Sequence, residues 1–394
     1  MTPENGKQKP LKIFLVAGEP SGDVLGARLM QGLKEEFSNR EIEFYGVCGP
    51  LMQAQGMNSL FAMDELTVMG VAEVVPQIPN LLRRIKQTAE FAIQVQPDAF
   101  ITIDAPDFSF RVAKKLTDQK FSKIHYVAPS VWAWRAGRAQ KLASLYDRVL
   151  TLLPFELKFF EDAGMKADFV GHSIIESGAG EGSSDRFIEN YNCDPNKPLV
   201  MVLPGSRRSE VSRHLDIFKQ TLERLSESLP KLQIVIPVVG KSAVIVKEAT
   251  VSWPFKTILV TDQQDKYDAM AASDVALAAS GTVGLELALA KLPSVIAYKM
   301  HPITAFLAKR LIKLDYVNLV NILQDEQVVP ELLLENCVPE KLAPALLDLL
   351  QSEDAREKQI SGYAKAAAQL SCSDIAPGRA AAQAVRREIE SVSN

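Results

Sequence analysis

The sequence predicts an α/β protein of two doubly wound parallel-sheet domains in tandem. Three observations predict it. Apolar runs of strand length alternate with amphipathic helical stretches along most of the chain. The alternation breaks once, at about Ser177–Asp185, where the residues turn small, polar and glycine-rich, and then restarts. At 394 residues the chain is also too long for one ordinary core.

The first set of strand-length runs is Leu11–Val16, Ile42–Val47, Ala99–Ile103, Ile124–Val127, Arg148–Leu152 and Asp168–Val170. The second set is Leu199–Leu203, Leu232–Val238, Thr257–Val260, Val275–Ala278 and Ser294–Ala297. Apolar strands spaced by helices imply parallel sheets covered on both faces. The expected division is residues 1–175 and 176–372, two Rossmann-like domains facing a cleft. A C-terminal helix at about 373–391 is expected to pack back on the first domain. In such sheets ligands bind beyond the carboxyl ends of the strands.

Composition narrows the function classes. Hydrophobic content of 47% with 23% charged residues fits a folded globular chain. A net charge of −4 offers no global attraction for nucleic acid. The four cysteines are scattered, without metal-ligand spacing, and read as reduced thiols. The N-terminal residues lack the apolar centre of a signal peptide, and no run reaches the roughly 18 residues of a membrane span. None of the four histidines is expected to bind metal: His125 reads as structural, His172 lies near the domain boundary, His214 on a solvated helix face, and His301 before Pro302.

The unusual loops fall where strands hand over to helices. AGEPSGD follows the first run: Gly18 and Gly22 free the backbone, Gly26 lets the helix approach the sheet, Ser21 suits a cap, and Asp23 lies in the first turn. Its spacing is neither the dinucleotide fingerprint nor a P-loop. Glu19 and Asp23 would repel a bare phosphate, which favours a sugar or other hydroxyl-bearing ligand; a plain capped turn fits the same residues. In ITIDAPDF, Asp104 stands at a strand end, where a carboxylate can take a proton, and Asp107 suits the cap of a helix beginning near Phe108. In HYVAPSVWAWR, Trp132 and Trp134 with Arg135 and Arg138 suit either ligand stacking or core packing.

The second domain carries two anion-type loops. In LPGSRRSEV, Gly205 frees the backbone, Ser206 donates, and Arg207 offers a bidentate fork for phosphate oxygens. In ASGTVGLELAL, Ser280, Gly281 and Thr282 open a helix whose free amides suit an anion, and Glu286 one turn later suits ribose hydroxyls. Together these fit a nucleoside diphosphate without a metal; a capped helix is the alternative.

These stretches, together with GVCGPLMQAQG, MGVAEVV, LPFE, GHS and RLIKLDYVNLVNIL, resemble the lipid-A-disaccharide synthases, inverting glycosyltransferases of the GT-B type (family 19), over about residues 11–340. The resemblance implies a hexosyltransferase of lipid A and lipopolysaccharide biosynthesis. It would join UDP-2,3-diacylglucosamine to 2,3-diacylglucosamine 1-phosphate (lipid X) through a β-1,6 linkage, releasing UDP and using no cofactor. Asp104 is the expected base, with Asp107, Glu19 and Asp23 as alternatives. Gly18, Glu19, Ser21, Gly22, Asp23, Gly205, Ser206, Ser280, Gly281, Thr282 and Glu286 are expected to bind substrate. The family's Tyr-x-x-x-x-Asn pattern maps onto Tyr316 and Asn321, placing Asn321 near the diphosphate. The implied location is cytoplasmic, at the cytoplasmic face of the inner membrane.

Acylated substrates call for a route to a bilayer. Met69, Val71, Val74, Val75, Ile78, Leu81 and Leu82 form an apolar surface beside Arg83, Arg84 and Lys86, suited to an anionic inner-membrane surface. An amphipathic helix packed on the core would show the same pattern. The basic-apolar segment FLAKRLIKL, at 306–314, is a second candidate. A homodimer is compatible with the sequence. A UDP-sugar 2-epimerase would share fold and UDP loops, and a non-catalytic nucleotide-sugar or lipid-binding protein would bind without turnover.

Overall fold

The computed structural model describes residues 9–66, 71–132, 137–238, 240, 242–301 and 314–393. The chain divides into two compact units, Met1–Ser173 with Leu370–Asn394, and Ile174–Gln369. Each is built on a six-stranded parallel sheet.

The first sheet contains β1 (Leu11–Ala17), β2 (Ile42–Val47), β3 (Ala99–Ile103), β4 (Ser122–Tyr126), β5 (Arg148–Thr151) and β6 (Lys166–Phe169), in the order β2-β1-β3-β4-β5-β6. β1, β3 and β4 are almost wholly buried, as strands covered on both faces must be. Phe14 and Phe100 pack across β1 and β3 with their rings tilted at 5.5 Å, and Phe91 from helix Val71–Val95 meets Phe14 edge-on at 5.7 Å. Helix Pro377–Ser393 joins this core through Ala381, Ala384 and Val385. It crosses helix Pro20–Glu36 at a glycine pair: a Cβ on Gly32 would lie 2.8 Å from the Gly378 carbonyl oxygen. Only glycine permits that approach.

The second sheet contains β7 (Leu199–Leu203), β8 (Gln233–Pro237), β9 (Lys256–Val260), β10 (Val275–Ala279), β11 (Ser294–Tyr298) and β12 (Glu331–Leu333), in the order β12-β11-β10-β7-β8-β9. β12 has no counterpart among the apolar runs, because its three residues are all only half-buried. The glycine-rich stretch near Ser177–Asp185 is tied into this unit rather than free. A Cβ on Gly182 would lie 2.0 Å from the Tyr267 carbonyl oxygen, and the Ser183 amide donates to the buried Asp268 carboxylate at 2.8 Å.

Strand order decides where ligands can go. In the first sheet the connections run one way from β1 to β2 and the other way through β3, so the switch point lies between β1 and β3. In the second, β7 leads out to β8 and β9, and the chain then returns to β10 on the other side of β7. The crevice at such a switch point, outside the strand carboxyl ends, is where open α/β sheets bind ligands.

Candidate active site

Both first-domain motif loops flank the first switch point. Ala17 and Ile103 are register partners at the ends of β1 and β3, and AGEPSGD and DAPDF continue from them. The loops touch: a Cβ on Gly18 would lie 2.7 Å from the Ala105 Cβ. Asp104 and Ala105 both have left-handed backbones, with φ of 52° and 46°. Two non-glycine residues in that region cost energy that only a constrained local structure sustains. The Asp104 amide donates to the Tyr126 carbonyl, and Ser109 donates to the Asp104 carbonyl. Burial pushes the Asp104 carboxyl above the usual aspartate range, partly offset by the Ala105 amide. Helix Pro106–Lys114 starts before Phe108, so Asp107 sits in its first turn and Ala105 holds the cap position. Beside this turn a cavity of about 460 Å³ is walled by Ile78, Leu81, Leu82, Ile85 and Phe108.

LPGSR and ASGT flank the second switch point, after the paired strands β7 and β10. Gly205 has φ of 114°, and a Cβ there would crowd Glu210 at 3.0 Å. Arg207 is the cap residue of helix Arg208–Ser228; its guanidinium donates to Glu210 at 3.0 Å and is otherwise exposed. Ser280, Gly281 and Thr282 precede helix Val283–Leu289, and a Cβ on Gly281 would meet nothing within 4 Å, so the backbone there is open. Glu286 accepts from Lys266 at 2.6 Å.

A family model described as "Lipid-A-disaccharide synthetase" matches residues 13–385. The chain belongs to the lipid-A-disaccharide synthase family. Lipid-A-disaccharide synthase of Rhodospirillum centenum is 51% identical, covering 96% of this chain and 94% of that protein. Its counterpart from Paramagnetospirillum magneticum is 47% identical over 95% and 96%. UDP-GlcNAc 2-epimerase from Neisseria meningitidis, bound to UDP-GlcNAc, has a similar structure: TM-score 0.63, 12% identity, 97% and 100% coverage. The calicheamicin glycosyltransferase CalG4 aligns with a TM-score of 0.59 at 14% identity, covering 98% of this chain and 100% of that one. The architecture is GT-B, and the protein is a hexosyltransferase of lipid A biosynthesis.

Several site residues expected from the lipid-A-disaccharide synthase motifs serve the fold instead. The Asn321 side chain is fully buried and uses all four of its hydrogen bonds. It donates to the Val329 carbonyl and Glu331, and accepts from the Val328 and Val329 amides, all at 2.8–2.9 Å. Nothing remains for a diphosphate. Asp23 is buried and accepts the Gly49, Leu51 and Met52 amides, capping helix Pro50–Ala54. The carboxylate is thereby committed to holding the start of that helix. Gly22 is packed against the Ile103 carbonyl. Ser21 lies within the first turn of helix Pro20–Glu36, capped at Glu19, and so is not its cap. Arg84 is not a membrane cation: it pairs bidentately with Glu65 and lies over the Phe61 ring at 4.5 Å. Ile78 and Leu82 are 43% and 51% exposed, as a surface role requires, and Leu81 is half-buried. Met69, Trp134, Arg135 and residues 306–313 lie outside the described residues, as do the side chains of Val71, Val74 and Val75.

Two buried residues bonded to the motif loops were not legible in the sequence. Glu156, in LPFE, is buried, accepts the Trp132 indole N–H at 3.1 Å and the Leu153 amide at 3.2 Å, and is pushed by burial up to about 7. His214 is fully buried rather than solvated. Its Nε2 accepts the Lys299 amide at 3.0 Å, so the proton sits on Nδ1 and is donated to the Pro204 carbonyl at 2.9 Å. The imidazole thereby ties the start of the Arg207 turn to the end of β11. A helical spacing pattern would have shown position 214 facing inward with Val211, Leu215 and Phe218.

Proposed function

We propose that the protein transfers 2,3-diacylglucosamine from its UDP carrier to the 6-hydroxyl of lipid X, with inversion. In this reading the second unit is the UDP-sugar domain and the first holds the acceptor. The observation that carries it is topological: LPGSR and ASGT, far apart in sequence, flank one switch point.

The acceptor oxygen attacks the anomeric carbon on the face opposite UDP. Asp104 takes the hydroxyl proton; its raised pKa makes the carboxylate a better base than an exposed aspartate. As the bond from anomeric carbon to phosphate oxygen breaks, its electron pair moves onto UDP. Arg207 and the amides of Ser280–Thr282 meet that charge in place, so no solvent shell has to reorganise. Gly205 and Ser206 shape the turn, and Glu286 takes the ribose hydroxyls on the carboxylate oxygen that Lys266 leaves free. Gly18 and Glu19 border the acceptor side. Ile78, Leu81, Leu82 and Arg83 face the lipid surface from which both substrates come. No described helix is long and apolar enough to cross a membrane.

The test is to mix the purified protein with both acylated sugars and follow UDP release in EDTA. Turnover requiring both lipids and persisting with chelator is expected. UDP release without acceptor, or loss of all activity in EDTA, contradicts the reading. An Asp104→Ala variant with near-normal turnover rejects the base assignment.

A further inference from the structure

Arg207 is not idle on this surface. Its guanidinium donates to Glu210 Oε1 at 3.0 Å, and its amide approaches Glu210 Oε2 at 3.4 Å. The two partners are unequally held. Arg207 is 66% exposed at its side chain, whereas Glu210 is 13% exposed. Glu210 also accepts the Tyr298 hydroxyl at 3.2 Å, and Tyr298 belongs to β11. The carboxylate is thus anchored from the sheet and from the helix start, and the guanidinium is the part free to move.

Resting on the assignment of Arg207 to the UDP diphosphate, we infer that Glu210 competes with the diphosphate for Arg207 and so sets how readily UDP leaves. A guanidinium committed to a fixed carboxylate must break that pair to grip a phosphate, and it has the pair to return to when the product departs. Binding product as tightly as the transition state adds nothing to turnover and slows release. A neighbouring carboxylate that takes the cation back weakens the hold on bound UDP by the cost of breaking that pair, and so favours its release. The turn itself need not move. His214 fixes the Pro204 carbonyl, and Arg213 donates to the Lys299 carbonyl at 3.0 Å, so only the Arg207 side chain exchanges partners.

Glu210→Gln isolates the charge, because glutamine keeps the size and can still accept the Arg207 amide. The experiment measures UDP affinity by titration calorimetry on the full chain in EDTA for wild type, Glu210→Gln, Arg207→Ala and the double variant. An exposed ion pair of this kind corresponds to a roughly 2–5-fold effect. Glu210→Gln is expected to tighten UDP by about that factor at low salt, and the gain is expected to vanish when Arg207 is already alanine. The same tightening in the Arg207→Ala background would overturn competition and leave plain repulsion between Glu210 and the phosphates. Unchanged or weaker UDP binding in Glu210→Gln, with its melting temperature preserved, would also overturn it. If Arg207→Ala alone leaves UDP affinity untouched, the assignment of Arg207 fails instead, and the two failures are told apart.

Discussion

Asp104, the proposed base, shows what a buried carboxyl in a left-handed backbone costs at the scale of one side chain. It is largely buried, it adopts φ of 52°, and burial disfavours its charged form. Its folded pKa is raised, so its favourable contribution is full at low pH and is lost as pH rises through that value. At neutral pH the ionised carboxylate therefore weighs against folding. Asp104→Asn, which tolerates the same backbone region, is expected to raise the melting temperature at pH 7 while cutting turnover on the order of 10²-fold; a lower melting temperature with intact turnover would contradict both roles. Glu156 has the same sign over a stated window. Raised from the ordinary 4.5 to about 7, it contributes stability below about 4.5 that is lost as pH climbs through 7. The fluorescence of Trp132, its hydrogen-bond partner, is expected to titrate near pH 7, a step that disappears in Glu156→Gln.

At the scale of elements, helix Val71–Val95 combines two surfaces that sequence periodicity merges. Ile78 and Leu82 face out, while Arg84 reaches back to Glu65 and Phe61. Replacing Ile78 and Leu82 by serine is expected to reduce sedimentation with anionic vesicles and leave the melting temperature within a few degrees. Arg84→Ala is expected to do the reverse, destabilising by about 1–2 kcal/mol without changing vesicle binding. A charge count along the helix treats Arg83 and Arg84 alike; only the position of Glu65, nineteen residues earlier, separates them. The same limit applies to Asn321. The motif marks it as important, but its importance lies in closing four hydrogen bonds around the turn before β12, an element without an apolar signature. His214 → Phe, which keeps ring stacking on Phe218 but loses both hydrogen bonds, is expected to lower UDP affinity as well as stability. Unaltered UDP affinity would make the brace purely structural.

For the whole chain, the alternation of apolar runs and helices made two doubly wound sheets readable, because buried parallel strands leave a continuous hydrophobic signature. Strand order was not readable. Which runs pair depends on how helices pack over the sheet, and no local residue records it. Yet strand order is what gives AGEPSGD, DAPDF, LPGSR and ASGT their meaning, by setting them at the two switch points. Residues read correctly as unusual therefore divide on inspection of their partners: Asp23 and Asn321 are consumed by the fold, while Arg207 and the Gly281 turn stay open. The central claim concerns the open set. Its most direct test is the turnover of Arg207→Ala with saturating acceptor, compared with wild type. The account predicts a fall of roughly 10²–10³-fold in kcat with the acceptor KM unchanged. An Arg207→Ala enzyme that turns over at the wild-type rate would contradict it.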